Sequence, residues 1–291
     1  MIYTIRHRTT YDYGKPVGFA RCMLRLTPVS SATQTLIESA VCISPTPLRL
    51  LVGQGPFGET TRTIILDRPH DQLVIEARSR VDVHAPERLP SAAPAWEAVR
   101  VAAFGTRQLG ADGPAAYLYP TRRTPCVGAI TDYARASFLA GRPIIEAACD
   151  LMVRIHRDFT YDPDTTTVST PAIEAFEARS GVCQDFAHIM IAGLRGLGLP
   201  AAYVSGYLRT NPPPGRPRLE GADATHAWIA LWCGESGWIG LDPTNAVPAL
   251  NDHVVLATGR DYSDVAPIDG IILAPGKQAI KVEVDVVPEA D

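Results

Sequence analysis

Three side chains in this sequence are of the types that, brought together, cleave or transfer amide bonds: Cys183, His226 and Asp242. Cys183 lies in Ser180-Gly181-Val182-Cys183-Gln184-Asp185, in the first turn of a helix expected over 181–197. The first N–H groups of a helix lack internal partners, and the helix dipole places positive potential there. Both favour a thiolate, the nucleophilic form of cysteine, and the same N–H groups can stabilise an oxyanion formed on a carbonyl under attack. The position would equally suit a small cysteine packed into a core, so the partners decide. His226 opens an apolar strand over 226–232, and a turn at 234–236 returns the chain into 238–242. Pairing Cys233 with Gly237 sets 226 opposite 244 and makes Asp242 a diagonal neighbour on the same face, within reach of an imidazole. A carboxylate there fixes the histidine tautomer and stabilises the imidazolium. Taken singly, His226 would serve as a core histidine and Asp242 as a turn residue before Pro243; a cysteine at a helix start with both of them on one hairpin face is harder to produce by chance.

The elements that must position this set fall into three stretches. Residues 1–85 read as all-β. Runs at 2–7, 35–43, 61–66 and 72–83 are rich in Val, Ile, Thr and Tyr and punctuated by Gly, Pro and Asp, which predicts a small β-sandwich-like domain with no catalytic residue. Residues 86–142 are rich in Ala, Pro and Gly and read as a connector with helical patches that lies over the surface. Residues 143–291 are expected to form the catalytic core with the C-terminal strands. There, Ile144, Ile145, Ala148, Leu151, Met152 and Ile155 form an apolar helical stripe. A short helix is expected over 172–179. In the helix that carries Cys183, the residues Val182, Phe186, Ile189, Met190 and Leu197 share one face, and Gly196, Gly198 and Pro200 end it. Strands at 201–208, 226–232 and 238–241 follow.

The composition suits a folded chain with unmodified thiols. Of 291 residues, 46% are hydrophobic and 20% charged, which excludes a disordered chain, and a net charge of −4 gives no basic footprint for nucleic acid. The six cysteines are even in number, but disulfide frameworks belong to short secreted chains, and free thiols are expected in a chain of 291 residues. The first residues read as a strand rather than a signal peptide, and no apolar run approaches the roughly 20 residues that span a bilayer. A cytoplasmic protein without membrane contact is therefore expected.

The strings Arg179-Ser180-Gly181-Val182-Cys183-Gln184-Asp185-Phe186-Ala187-His188, Ala224-Thr225-His226-Ala227-Trp228 and Gly237-Trp238-Ile239-Gly240-Leu241-Asp242-Pro243-Thr244-Asn245 resemble the bacterial transglutaminase-like superfamily. The similarity extends to 198–208 and 259–265. The start, Tyr3 to Tyr13 with Arg25-Leu26-Thr27-Pro28, is similar to the β-rich domain that precedes this core. Residues 121–125 depart from the family more than their surroundings do. The resemblance implies an α+β, papain-like fold and a Cys-His-Asp triad. Cys183 would be the nucleophile, His226 the general base and then acid, and Asp242 the orienting carboxylate. It implies acyl transfer through a thioester to water or to an amine, on a peptide or protein substrate and without a cofactor. A non-catalytic interaction module on the same fold is the contrasting reading, and loss of a triad residue would have favoured it.

The remaining candidates receive narrower expectations. The Cys183 backbone N–H is the expected oxyanion donor, with the Gln184 side chain or an indole such as Trp228 either as the second or as a support behind the three residues. His188 falls about 140° round the helix from Cys183 and reads as structural. Asp185 reads as a cap, and Trp228 and Trp232 as core. Arg216 and Arg218 in the loop before His226 are placed to meet an acidic substrate, although a solvated loop explains them as well. Asp252, His253 and Asp261 show no metal-ligand spacing, so no metal is expected, and no phosphate-binding glycine pattern occurs.

Overall fold

The computed structural model describes residues 1–108, 110–210, 224–274 and 276–289. Six strands come first: β1 (Ile2–Val17), β2 (Ala20–Leu24), β3 (Gln34–Ser44), β4 (Arg49–Gln54), β5 (Thr60–Leu66) and β6 (His70–Val83). The helices α1 (Trp96–Gly105), α2 (Gly128–Arg135) and α3 (Ile144–Asp158) follow. After them come β7 (Thr160–Tyr161), α4 (Ala172–Ala178), β8 (Ser180–Gly181) and α5 (Cys183–Gly196). The strands β9 (Ala201–Leu208), β10 (Ala224–Trp232), β11 (Trp238–Asp242), β12 (Val247–Pro248) and β13 (His253–Gly259) lead to α6 (Tyr262–Val265), β14 (Ile268–Ile272) and β15 (Gln278–Pro288). The molecule is α+β, as expected.

Strand β1 shows why the first stretch is β: Tyr3, Ile5, His7, Thr9, Tyr11 and Tyr13 are buried at every second position. They belong to an antiparallel sheet ordered β15-β1-β6-β3, and a second sheet is ordered β14-β2-β5-β4. Ile5, Ile75, Val81 and Val286 of the first share one core with Leu24, Ile64 and Leu66 of the second, which makes a sandwich. Both sheets take a strand from the far end of the chain. β15 pairs with β1 from Tyr3↔Pro288 to Tyr13↔Gln278, and β14 pairs with β2. The assignment of the C-terminal strands to the catalytic core is thereby corrected. Their β-branched alternation identifies strands, but a local pattern carries no information on which sheet receives them.

The second core gathers α2, α3, α4 and α5 against a five-stranded antiparallel sheet ordered β12-β11-β10-β9-β13. Helix α5 is central, with Phe186, Ile189, Met190, Ile191 and Leu194 buried. The connector expectation is also corrected, because α2 docks directly on α5. Gly193 permits this: a side chain there would come within 2.7 Å of the Ala134 Cβ. Small residues on both helices let the backbones approach, and that same alanine-rich composition is what read as a surface segment. The loop before α2 is tied to α5 by the buried Arg195. Its guanidinium donates to the carbonyls of Tyr117 (2.9 Å), Ala201 (2.7 Å) and Arg260 (2.7 Å) and to the Thr124 hydroxyl (2.7 Å). Residues 121–125, where the family resemblance is weakest, therefore contain a buried anchor. No helix among the described residues is long and apolar enough to cross a membrane.

Candidate active site

Cys183 is the first residue of α5. The turn before it is fixed by Asp185, whose Oδ2 accepts from the Val182 N–H (2.9 Å) and from the Thr166 hydroxyl (2.6 Å). This is the capping role expected of Asp185. The hairpin register is also as expected: Ile229 faces Leu241, Trp232 faces Trp238, and the Cys233 N–H donates to the Gly237 carbonyl at 2.8 Å. Pairing with β11 ends at Ile229↔Leu241, so the part of β10 that carries His226 has an open edge. There His226 meets Asp242 on one side and Cys183 on the other. Its Nε2–H donates to Asp242 Oδ2 at 2.8 Å, and it is hydrogen-bonded to Cys183.

Burial disfavours the charged form of His226. The hydrogen bonds to Asp242 and Cys183, and the negative charge on both, outweigh it, and the imidazole is pushed up to about 10. At neutral pH the proton therefore rests on His226. Asp242 is fully buried, and burial alone would raise it. The hydrogen bonds from His226 and His253, the His226 charge and the Asn245 amide instead hold it well below the usual carboxylate range.

Two of these partners were not foreseen from the sequence. Asp242 Oδ2 also accepts from His253 Nε2 (3.2 Å) and Asn245 Nδ2 (2.7 Å), while Oδ1 accepts from the backbone N–H of Thr244 (2.9 Å) and Asn245 (3.2 Å). The Asn245 contacts form a tight turn after the aspartate, which the run Asp242-Pro243-Thr244-Asn245 signals. His253 has no such local signal, since it comes from β13, two strands away from β10 across β9. His226, Asp242 and His253 offer three ligand atoms within 4.8 Å of one another, a possible metal-holding set absent from the sequence expectation. Each of the two Nε2 atoms is already engaged with Asp242 Oδ2.

Trp228 lies behind this set. It is 2% exposed, its ring meets His253 nearly perpendicularly at 5.0 Å and stands 6.2 Å from His226. It does not line the cleft, so its indole is not placed as an oxyanion donor. Gly206 makes room for it: a Cβ there would lie 2.4 Å from the indole ring and 2.2 Å from the Val254 carbonyl oxygen. Gly206→Ala is therefore expected to cost about 1–3 kcal/mol, as overpacking does. It should also lower turnover by displacing the ring that backs His226. Thermal melting and a steady-state assay on the same preparation check both effects.

The cleft has a volume of about 300 Å³. Its floor is Tyr203 and Ser205 of β9 with Thr225 and Ala227 of β10, and Val182, Cys183 and Gln184 form one wall. The opposite wall comes from the sandwich, with His7, Thr9 and Tyr11 on β1 and Ile280 and Val282 on β15. The β-rich first stretch, read from the sequence as holding no catalytic residue, thus supplies part of the cleft lining. The inner-face row of β1 and β15 runs out of the sandwich core into the cleft, a continuation that only the three-dimensional docking reveals. His7 is neutral there, pushed down to about 4 by burial, and bonds the hydroxyls of Tyr207 (3.0 Å) and Thr9 (3.2 Å).

Gln184 also lines the cleft, with its Nε2 donating to the Val168 carbonyl at 3.2 Å. His188 is buried outside the cleft lining, pushed down to about 3, and accepts from the Tyr262 N–H at 3.2 Å, which suits a structural role. Trp232 packs at the border of the helical core. Asp252 accepts from Tyr3 and Arg209, and Asp261 caps α6 through the Ser263 N–H. The loop 211–223, with Arg216 and Arg218, lies outside the described residues.

Comparison with known proteins agrees with this arrangement. Residues 3–82 match the Bacterial transglutaminase-like N-terminal region, and residues 131–243, which contain all three candidate residues, match the Transglutaminase-like superfamily. Uncharacterised proteins of Mycobacterium tuberculosis and Mycobacterium bovis are 41% identical over 297 residues, covering 98% of this chain and 92% of theirs. A protein-glutamine gamma-glutamyltransferase of Pseudomonas aeruginosa is 35% identical over 106 residues, 33% of this chain and 16% of that protein. A crystal structure from Cytophaga hutchinsonii, described as a candidate cysteine protease, has the same fold. It superposes with a TM-score of 0.74 at 21% identity, over 100% of this chain and 92% of that one. With both domains matched in order and relatives aligned over nearly their whole length, the chain belongs to the transglutaminase-like superfamily.

Proposed function

We propose that this protein transfers acyl groups from amide bonds through a thioester on Cys183, and that water is the usual acceptor. The observation that carries the reading is the unbroken chain from Cys183 to His226 to Asp242 at one side of an open cleft. The Cys183 sulfur attacks the amide carbonyl, and His226, protonated at rest, delivers its proton to the leaving nitrogen. It then takes a proton from water as the thioester is hydrolysed. Asp242 keeps the Nε2–H in place so that Nδ1 faces the sulfur. The backbone N–H of Cys183 is one oxyanion donor. Retention of all three residues argues against a non-catalytic interaction module.

Hydrolysis is favoured over transamidation by the cleft wall. Among the described lining residues there is no aspartate or glutamate to hold the ammonium group of an amine acceptor. Transamidation is the second reading, supported by the local similarity to the gamma-glutamyltransferase. The substrate class is a peptide or protein with an uncharged group beside the reacting amide, without nucleic acid or membrane. All six cysteines are unpaired, which suits a reducing compartment, and we place the activity in the cytoplasm.

The test is incubation with a glutamine-containing peptide library and a tagged primary amine, read by mass spectrometry. Free acid or shortened peptide without tag is the expected product. Tag incorporation would transfer the assignment to transamidation, and absence of any product or thioester would remove the acyl-transfer reading.

A further inference from the structure

Tyr203 lines the cleft beside Cys183, and no hydrogen bond among the described residues engages its hydroxyl. Tyr203 stands on β9 between Ile229 of β10 and Gly259 of β13. Its ring is 2% exposed and held against His188 at 5.0 Å and Tyr262 at 6.3 Å. The residue nonetheless lines the cleft together with Cys183 and His226. Among the described residues, no hydrogen bond engages its hydroxyl. Burial, and after it the negative charge of Cys183, raise the phenol well above its ordinary value. The O–H therefore keeps its proton and stands within electrostatic reach of the sulfur. A hydroxyl uncommitted within the protein, on the lining of the cleft beside the nucleophile, is free to bond a group that arrives with the substrate.

The alternatives are less well placed. Gln184 spends one of its two Nε2 hydrogens on Val168, which turns the amide towards that carbonyl, and the Trp228 indole lies outside the cleft lining. Tyr161 also senses the Cys183 charge, but it is exposed and is not part of the lining.

We propose that Tyr203 is a catalytic residue whose O–H donates to the oxyanion formed when Cys183 attacks the substrate carbonyl, opposite the backbone N–H of Cys183. The proposal rests on the thioester reading above. As the S–C bond forms, the carbonyl π electrons move onto oxygen, where Tyr203 stabilises them without giving up its proton. On collapse the C=O bond is restored and the bond to the leaving group breaks. With an amide, the leaving nitrogen takes its proton from His226.

The test compares wild type with Tyr203→Phe, which keeps the ring and removes only the donor. Acylation is followed with p-nitrophenyl acetate, whose leaving phenolate needs no proton from His226. Alkylation of Cys183 by iodoacetamide is measured in parallel, mapped by peptide mass spectrometry, because that displacement forms no oxyanion. Acylation is expected to slow by about 10²–10³-fold, as for other oxyanion donors, with the alkylation rate and the melting temperature nearly unchanged. Acylation within about threefold of wild type, far short of that loss, would overturn the proposal and leave the nucleophile assignment standing. Equal losses in acylation and alkylation would show that the sulfur itself had been disturbed, and would overturn the donor role. A wild-type protein that forms no acetyl-Cys183 would remove the thioester reading, and the Tyr203 proposal with it.

Discussion

Cys183→Ala is expected to lower turnover on the order of 10⁶-fold, as when a nucleophile is removed from a triad that acts as a unit. The fold should survive. Cys183 is only half-buried, and the cap that shapes the start of α5 is Asp185 bonded to Val182 rather than the sulfur. Covalent trapping of an acyl group should disappear together with turnover. The control lies in the other five thiols. Burial pushes Cys22 up to about 11 and Cys233 up to about 12, and raises Cys149. Those three should stay unmodified at neutral pH. Cys42 and Cys126 are exposed and will alkylate in any variant. The decisive readout is therefore the site-mapped acyl adduct and not total thiol labelling. Undiminished turnover or acyl trapping in Cys183→Ala would end the assignment.

The parts of this site that were legible in the sequence are those fixed by local geometry. A cysteine ahead of an apolar helical stripe could only start α5, and a hairpin closed by Gly237 could only set His226 and Asp242 on one face. Asp185 was legible as a cap for the same reason. What escaped depends on which strands become neighbours. His253 reaches Asp242 from β13, a contact between residues with no fixed spacing. The C-terminal β15 read correctly as a strand, yet its partner, β1, lies at the other end of the chain. The cleft wall escaped through the same gap. His7, Thr9 and Tyr11 alternate as any buried strand would, and only the docking of sandwich on sheet places them opposite Cys183. Alanine and glycine in α2 and α5 hid a tight helix contact behind a composition typical of linkers.

Asp242→Asn is expected to be milder than loss of the nucleophile but still severe, with a fall in kcat on the order of 10⁴-fold, and its pH dependence identifies the cause. In the wild type, burial opposes the His226 imidazolium while Asp242 and Cys183 support it, and the balance stands at about 10. The proton donor is thus present through neutral pH, and kcat/KM should fall only as pH rises through about 10. Asparagine removes the carboxylate's charge and its acceptor oxygen, leaving burial opposed by Cys183 alone. The alkaline limb should then move down towards the ordinary histidine value of 6.5. Stability follows the same groups. The raised pKa of His226 contributes stability that is fully present below about 6.5 and lost as pH climbs through about 10. The lowered pKa of Asp242 contributes stability that is present above the ordinary carboxylate range and lost as pH falls through its folded value. The melting temperature of wild type minus that of Asp242→Asn should therefore be largest just acid of neutrality and shrink steadily towards pH 10. An unshifted alkaline limb in the variant would mean that Asp242 does not set the charge of His226. A shifted limb with the difference in melting temperature unchanged across that interval would separate the catalytic role of the pair from its role in the fold.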